Sequence, residues 1–198
     1  MNNTQFSGWG FEPEIVNDFG VISSVFSDYE CDRIVEYGEQ QKMSAAGVGG
    51  HRNVSKEVRD SSITWIHTND ESAAWIYRRV SDAIKEVNEQ LFKFDLWGFL
   101  EALQFTRYDA PGGKYDTHVD RFNGGMVVRK LSLSILLTNP SDFEGGDLDV
   151  WTSGKPASMV KQRGALVAFP SFILHAVKPV TKGTRHSLVG WVAGKPFK

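Results

Sequence analysis

Near Trp97 the hydrophobic period of the chain changes, and that change decides what it can fold into. Before it, apolar residues recur every three or four positions. Ile76, Val80, Ile84, Val87 and Leu91 follow the acidic run Asn69-Asp70-Glu71, which predicts a helix over about 71–92. Cys31, Ile34, Val35 and Gly38 repeat the pattern behind the cap candidates Ser27 and Asp28, so an earlier helix is expected over 27–43. After Trp97 the period falls to two, β-branched and aromatic residues dominate, and turn signals become frequent. Strands are expected over 99–108, 115–120, 130–138, 148–151, 165–169 and 186–192, with a further candidate at 63–66. Gly145-Gly146, Gly154-Lys155-Pro156 and Lys182-Gly183 are read as turns. Helices first and short strands afterwards define a mostly β, α+β chain, in which two packed sheets form a jelly-roll core buttressed by N-terminal helices.

No fixed-period repeat or long linker divides the 198 residues, so one domain is expected over 1–198, with helical and lid elements at about 1–95 and the jelly roll at about 96–195. Lys and Arg number 22 against 24 Asp and Glu, a net charge of -2; no overall cationic field points to nucleic acid or anionic lipid. Cys31 is the only cysteine, which rules out an internal disulfide framework and favours a reducing compartment. The polar start MNNTQFSGWG and the lack of any apolar run near ~18 residues lead to the expectation of a cytoplasmic chain without a membrane partner.

The stretch Tyr115-Asp116-Thr117-His118-Val119-Asp120 carries the first chemical signal. Residues two apart on a strand share a face, so His118 and Asp120 converge with Cα atoms roughly 6.6 Å apart. One more nitrogen ligand would complete a three-ligand face on a metal with three positions open, and His175 is the candidate. A surface His–Asp hydrogen bond is the plain alternative. Beyond His175 the chain reads as a strand, a turn and a returning strand that brings Arg185 back. Arg185 and Ser187 share a face and offer a guanidinium fork and a hydroxyl to a carboxylate. His51, His67 and His186 are read as surface or structural, His186 pointing to the opposite face from Arg185. Gly47 to Asn53 lacks the Gly-Lys-Ser/Thr of a phosphate loop and is read as a mobile loop, within a lid candidate over 47–62.

From about Phe99 to Trp191 the chain resembles the Fe(II)/2-oxoglutarate-dependent oxygenases, specifically their prolyl 4-hydroxylase-like branch. The resemblance rests on His118-Val119-Asp120 and His175, on Arg185 ten residues beyond the second histidine, and on Tyr108 ten residues before the first. It is supported by Arg129-Lys130-Leu131-Ser132, Asp142 to Leu148, Phe169-Pro170-Ser171 and Leu188-Val189-Gly190-Trp191; Val58 to Ser62 is similar to the segment that covers the site. The resemblance implies that His118, Asp120 and His175 hold Fe(II) and carry catalysis. It implies that Arg185 and Tyr108 meet the far carboxylate of 2-oxoglutarate, beside the Ser187 hydroxyl that the shared strand face supplies, and that Ile135, Leu137 and Leu148 line its pocket. Leu137 stands where oxygen-sensing prolyl hydroxylases have a tyrosine, and Arg185 where collagen-type enzymes have a lysine. Arg59, Arg129, Tyr115 and Trp191 are the substrate-contact candidates, with core packing the alternative for Trp191 and a solvated or paired arginine the alternative for the other two cations.

The implied chemistry couples oxidative decarboxylation of 2-oxoglutarate by dioxygen, giving succinate and carbon dioxide, to hydroxylation of an unactivated C–H bond, with ascorbate as a further candidate cofactor. A prolyl residue of a peptide or protein is the leading substrate. The alternatives are another side chain, a free amino acid, a small metabolite, or a jelly-roll module that binds metal without turnover.

Overall fold

Ser27 begins the first helix by a reciprocal cap: its hydroxyl accepts from the Glu30 backbone N–H, while the Glu30 carboxylate accepts from the Ser27 N–H at 2.8 Å. The computed structural model describes residues 17–47, 55–120 and 128–196. In chain order these form β1 (Gly20–Ile22), α1 (Asp28–Gln40), β2 (Ser44–Ala45), β3 (Arg59–Asp60), β4 (Ser62–Ile66), α2 (Ala74–Val87), β5 (Leu96–Gly98), β6 (Leu103–Asp109) and β7 (Lys114–His118). They continue as β8 (Arg129–Leu136), β9 (Phe143–Gly145), β10 (Leu148–Trp151), β11 (Pro156–Ser158), β12 (Leu166–Pro170), β13 (His175–Val177) and β14 (Val180–Gly194).

Two sheets face one another. The larger runs β1-β12-β8-β14-β6-β4-β2, with β5 and β9 also paired to β14; the smaller runs β11-β10-β13-β7-β3. One apolar layer lies between the larger sheet and the helices, where Ile34, Ile76 and Val80 meet Leu131, Leu133 and Leu188. The other lies between the sheets and contains Tyr108, Leu148, Phe169 and Val177. Gly38 lets α1 close onto β6, because a Cβ there would stand 2.5 Å from the Phe105 ring.

The second periodic segment folds over the expected span but in three forms: a 3-10 turn (Glu71–Ala73), α2, and a π turn (Asn88–Phe92) closed by Lys93 at φ 52. The expected strand from Phe99 begins only at Leu103; Leu100 and Glu101 form a bend, while β5 pairs with the end of β14. Lys182-Gly183 is not the reversal. The break between β13 and β14 falls at Lys178-Pro179, and Gly183 sits within β14 opposite Phe143, where the strand passes from pairing with β9 to pairing with β6 and β8. Of the lid candidate 47–62, residues 48–54, with His51, lie outside the described residues. Among those described, no helix is long and apolar enough to cross a membrane.

Candidate active site

The smaller sheet sets His118 and His175 side by side. They are register partners across β7 and β13, with ring centroids 4.1 Å apart. Asp120 follows β7 by two residues, and its backbone N–H donates to the Ser171 carbonyl at 3.0 Å, which ties it to the turn leading into β13. The carboxylate then lies 3.7 Å from His118 Nε2 and 3.4 Å from His175 Nε2, and the three ligand atoms are all within 4.8 Å of one another. Each imidazole donates its Nδ1–H to a carbonyl of its own segment, His118 to Asp116 at 2.8 Å and His175 to Ile173 at 3.0 Å. Those bonds fix the tautomer and turn both Nε2 lone pairs toward Asp120.

The electrostatics of the triad follow from burial and from its close spacing. Desolvation, with His175 alongside, pushes His118 down to about 4. His175 goes the other way: burial opposes its charge, but the adjacent Asp120 outweighs it and raises the pKa. Burial would raise Asp120, yet the two imidazoles and the Ser132 hydroxyl hold it well below the ordinary carboxylate range. A cation binding here would displace the proton that Asp120 favours on His175, and two imidazole nitrogens with one ionised oxygen suit a divalent first-row ion with open positions.

The triad borders a cavity of about 520 Å³ between the sheets. Tyr108, Leu148 and Ser187 line it. Arg185 lies behind, in an adjoining hollow of about 20 Å³ that shares Ser134 and Leu148 with the main cavity. Arg185 is only 3% exposed, and its guanidinium donates to Ser187 Oγ at 3.1 Å and stands 5.4 Å from the Tyr108 ring centroid. It makes no ion pair with an acid among the described residues, and desolvation lowers its pKa. Asp147, the acid whose charge acts on it, is paired with Lys161 at 3.0 Å, so the buried guanidinium is left without an ion pair of its own.

Two expected pocket residues are placed elsewhere. Ile135 and Leu137 are fully buried in the helix-side layer and line neither cavity. Strand parity is the reason: Ser134 and Leu136 face the pocket, so Ile135 and Leu137 turn away. The β8 residue facing the Arg185 hollow is therefore Leu136, and the tyrosine comparison drawn at Leu137 falls on a residue that faces the other way.

Arg59, Arg129, Tyr115 and Trp191 all border the main cavity. Tyr115 stacks on His118 with centroids 3.5 Å apart, and Arg59 covers its other side with Cζ 4.4 Å from the ring. Arg129 is forked onto Glu101 and lies 4.0 Å from the Trp191 ring. The buried Trp191 Nε1 has no hydrogen-bond partner among the described residues. His67 is exposed and His186 lies on the helix side against Thr138 and Glu39, both away from the triad. Sequence reasoning missed Trp65, Gln104, Ser132 and Ser134. Period two from Tyr108 identifies Gln104, and from Arg185 through the β14–β8 pairing it identifies the serines.

Residues 103–193 match the family model of the 2OG-Fe(II) oxygenase superfamily. That stretch carries His118, Asp120, His175 and Arg185, so the part of the chain that holds the site is similar to the Fe(II)- and 2-oxoglutarate-dependent oxygenases. Among relatives, a PKHD-type hydroxylase of Picosynechococcus is 39% identical over 93 residues, 47% of this chain and 42% of that protein. One from Klebsiella pneumoniae is 33% identical over 125 residues, 59% and 55% of the two chains. The chain thus spans about half the length of these relatives. Two solved structures share the fold. A Pseudomonas putida prolyl-4-hydroxylase has a TM-score of 0.70 at 21% identity, covering 90% of this chain and 94% of that one. A Trichoplax adhaerens prolyl hydroxylase, solved with a hypoxia inducible factor peptide fragment, has a TM-score of 0.72 at 22% identity, covering 90% and 84%.

Proposed function

We propose that this protein is an Fe(II)- and 2-oxoglutarate-dependent dioxygenase that hydroxylates a prolyl residue in a peptide or protein, releasing succinate and carbon dioxide. The observation that carries the reading is the pairing of two sites in one cleft. A convergent His118, Asp120 and His175 triad stands beside an acid-free, buried Arg185. The PKHD-type relatives are named hydroxylases, which supports hydroxylation, and the similar structures named prolyl hydroxylases favour proline as its target.

His118 Nε2, His175 Nε2 and an Asp120 oxygen would hold the ion. Bound there, Fe(II) supplies the dioxygen activation that the side chains lack. The remaining work belongs to the polypeptide. The Ser132 hydroxyl donates to Asp120 Oδ2 at 2.7 Å and holds that carboxylate in place. Arg185, with Tyr108 and Ser187, would take the distal carboxylate of 2-oxoglutarate, while Leu148, Phe169 and Val177 exclude water from around it. Tyr115 and Trp191 wall the space where a substrate C–H bond would be positioned, and each turnover converts R–H, 2-oxoglutarate and O2 to R–OH, succinate and CO2.

The test is mass spectrometry of a proline-containing peptide library treated with the protein, Fe(II) and 2-oxoglutarate, alongside a succinate assay. A gain of one oxygen on proline with stoichiometric succinate is expected. Succinate formation stimulated only by non-prolyl compounds would overturn the prolyl substrate, and no 2-oxoglutarate consumption with any compound would overturn the oxygenase reading.

A further inference from the structure

Three described guanidiniums belong to this cleft, and two are accounted for. Arg129 is neutralised by Glu101, and Arg185 faces the proposed cosubstrate site. Arg59 is 91% buried, being 9% exposed, and lines the main cavity. Its contacts are neutral: Nε donates to Ser61 Oγ at 3.0 Å, NH1 donates to the Gly47 carbonyl at 3.3 Å, and Cζ lies over Tyr115. Among the described residues no acid pairs with it. The adjacent Asp60 alternates to the other side of the strand and pairs with Lys56 at 3.7 Å, Asp116 pairs with Lys114, and Asp120 is committed to the histidines. The internal stretches 48–54 and 121–127 contain no aspartate or glutamate at all.

A guanidinium withdrawn this far from water has lost hydration that neutral acceptors replace only in part, and side chains of this kind are normally matched by an anion. The cavity that Arg59 lines is open to such an anion. Arg59 is separated from the His118 imidazole by one stacked ring, Tyr115, so whatever it holds is fixed beside the triad and not at the Arg185 end.

We infer that the hydroxylated substrate is itself anionic and docks a carboxylate on Arg59, with Ser61 and Tyr115 holding the guanidinium fork in place. This rests on the oxygenase reading, and it narrows the substrate class to prolyl compounds or amino acids that carry a free acid: a free amino acid, the C-terminal carboxylate of a peptide, or an acidic side chain next to the target. A planar fork that binds a carboxylate through two parallel bonds discriminates against an amide of the same shape, because the amide brings neither the charge nor the second acceptor.

Three matched pairs separate the sources: L-proline and L-prolinamide; a short N-acetylated peptide ending in proline as the acid and as the amide; and a doubly blocked prolyl peptide with glutamate or glutamine beside the proline. Each is titrated by calorimetry against the anaerobic protein supplied with Fe(II) and 2-oxoglutarate, for wild type, Arg59→Gln and Ser61→Asp. The second variant leaves Arg59 in place and gives it an internal acid. At least one acid should bind tenfold or more tighter than its neutral mate, and both variants should abolish the difference. Equal binding within all three pairs, or an acid preference that survives both variants, would overturn the inference. Uptake of 2-oxoglutarate by the wild type, recorded before any pair is added, tests the oxygenase reading separately. Normal uptake without acid preference sinks the Arg59 assignment alone, and acid preference without uptake sinks the oxygenase reading while supporting the Arg59 site.

Discussion

The Ser132 hydroxyl lies 2.7 Å from Asp120 Oδ2 and 3.0 Å from the Ser171 hydroxyl, so the larger sheet reaches across the cleft to orient a ligand carried by the smaller one. Groups that orient a ligating carboxylate change metal affinity by about 10–100-fold when removed. Ser132→Ala should therefore weaken Fe(II) binding by roughly tenfold or more, while Ser132→Thr, which keeps the hydroxyl, should retain most of it. Anaerobic metal titration of the two variants decides the matter. Equal affinity in wild type and the alanine variant would show that Asp120 is held by its backbone alone.

His175→Ala removes one of three protein ligands but also a bulky buried ring. Fe(II) binding should be lost, with the fold retained because the helix-side layer does not include this residue. The check combines metal titration with circular dichroism. A variant that folds and still binds Fe(II) with wild-type affinity would remove His175 from the ligand set.

Gly146 has φ +63, and a Cβ there would stand 2.9 Å from Arg185 Cδ and 3.0 Å from Val180 Cγ2. Gly146→Ala should therefore displace the guanidinium and weaken 2-oxoglutarate binding while leaving Fe(II) affinity intact, since the triad lies on the other sheet. Parallel titrations with both ligands read the split. Unchanged 2-oxoglutarate affinity would show that Arg185 has room to move.

Much of this site was legible because period two is a hard constraint. His118 with Asp120, and Arg185 with Ser187, follow from it directly. Carrying positions over from the resemblance puts Ile135 and Leu137 in the pocket, which on β8 falls on the wrong strand parity. Both faces of β8 are buried here: Leu131, Leu133 and Ile135 join the helix-side layer, while Ser132 reaches Asp120 and Ser134 lines the cavity. The convergence of His175 on His118 depends on pairing between strands far apart in sequence, which no local pattern encodes. Nor does local pattern show that one long strand, β14, serves two partners in succession, so the glycine at 183 was read as a turn. The acid-free state of Arg59 likewise appears only once the partners of Asp60 and Asp116 are known.

His186 supplies a pH dependence. It is sandwiched behind the sheet against Phe105, with Nε2 2.8 Å from Glu39 and Nδ1 3.1 Å from Thr138 Oγ1, and burial lowers its pKa below the ordinary 6.5 despite Glu39. The unfolded chain then takes up a proton before the folded one. Stability is fully present above pH 6.5 and falls as pH drops through the interval down to the lowered value, by at most about 1.4 kcal/mol per pH unit for one proton. His118 acts in the same sense and His175 in the opposite one, so comparison with His186→Gln isolates this residue. Urea unfolding at pH 7.5 and pH 5 should show wild type losing more stability than the variant. A difference between the two proteins that does not change with pH would contradict the assignment.

Arg185 gives the sharpest test of the cosubstrate site. Its guanidinium is buried, acid-free and already oriented by Ser187 beside Tyr108, in a hollow bordered by Leu136, Leu148 and Val167. Hydrogen bonds to a charged group contribute about 1.5–3 kcal/mol, and a desolvated carboxylate left unpaired costs about 3–5 kcal/mol. Arg185→Ala should therefore weaken 2-oxoglutarate affinity by at least roughly tenfold. Lysine keeps the charge without the planar fork, so Arg185→Lys should recover part of the loss. Fe(II) binding should survive in both, because Arg185 is not among the converging ligand atoms. Anaerobic titration of the Fe(II) forms with 2-oxoglutarate measures all three proteins. Unchanged affinity in the alanine variant would remove Arg185 from the cosubstrate site, and loss of Fe(II) binding would mean that the buried cation supports the sheet and not the ligand.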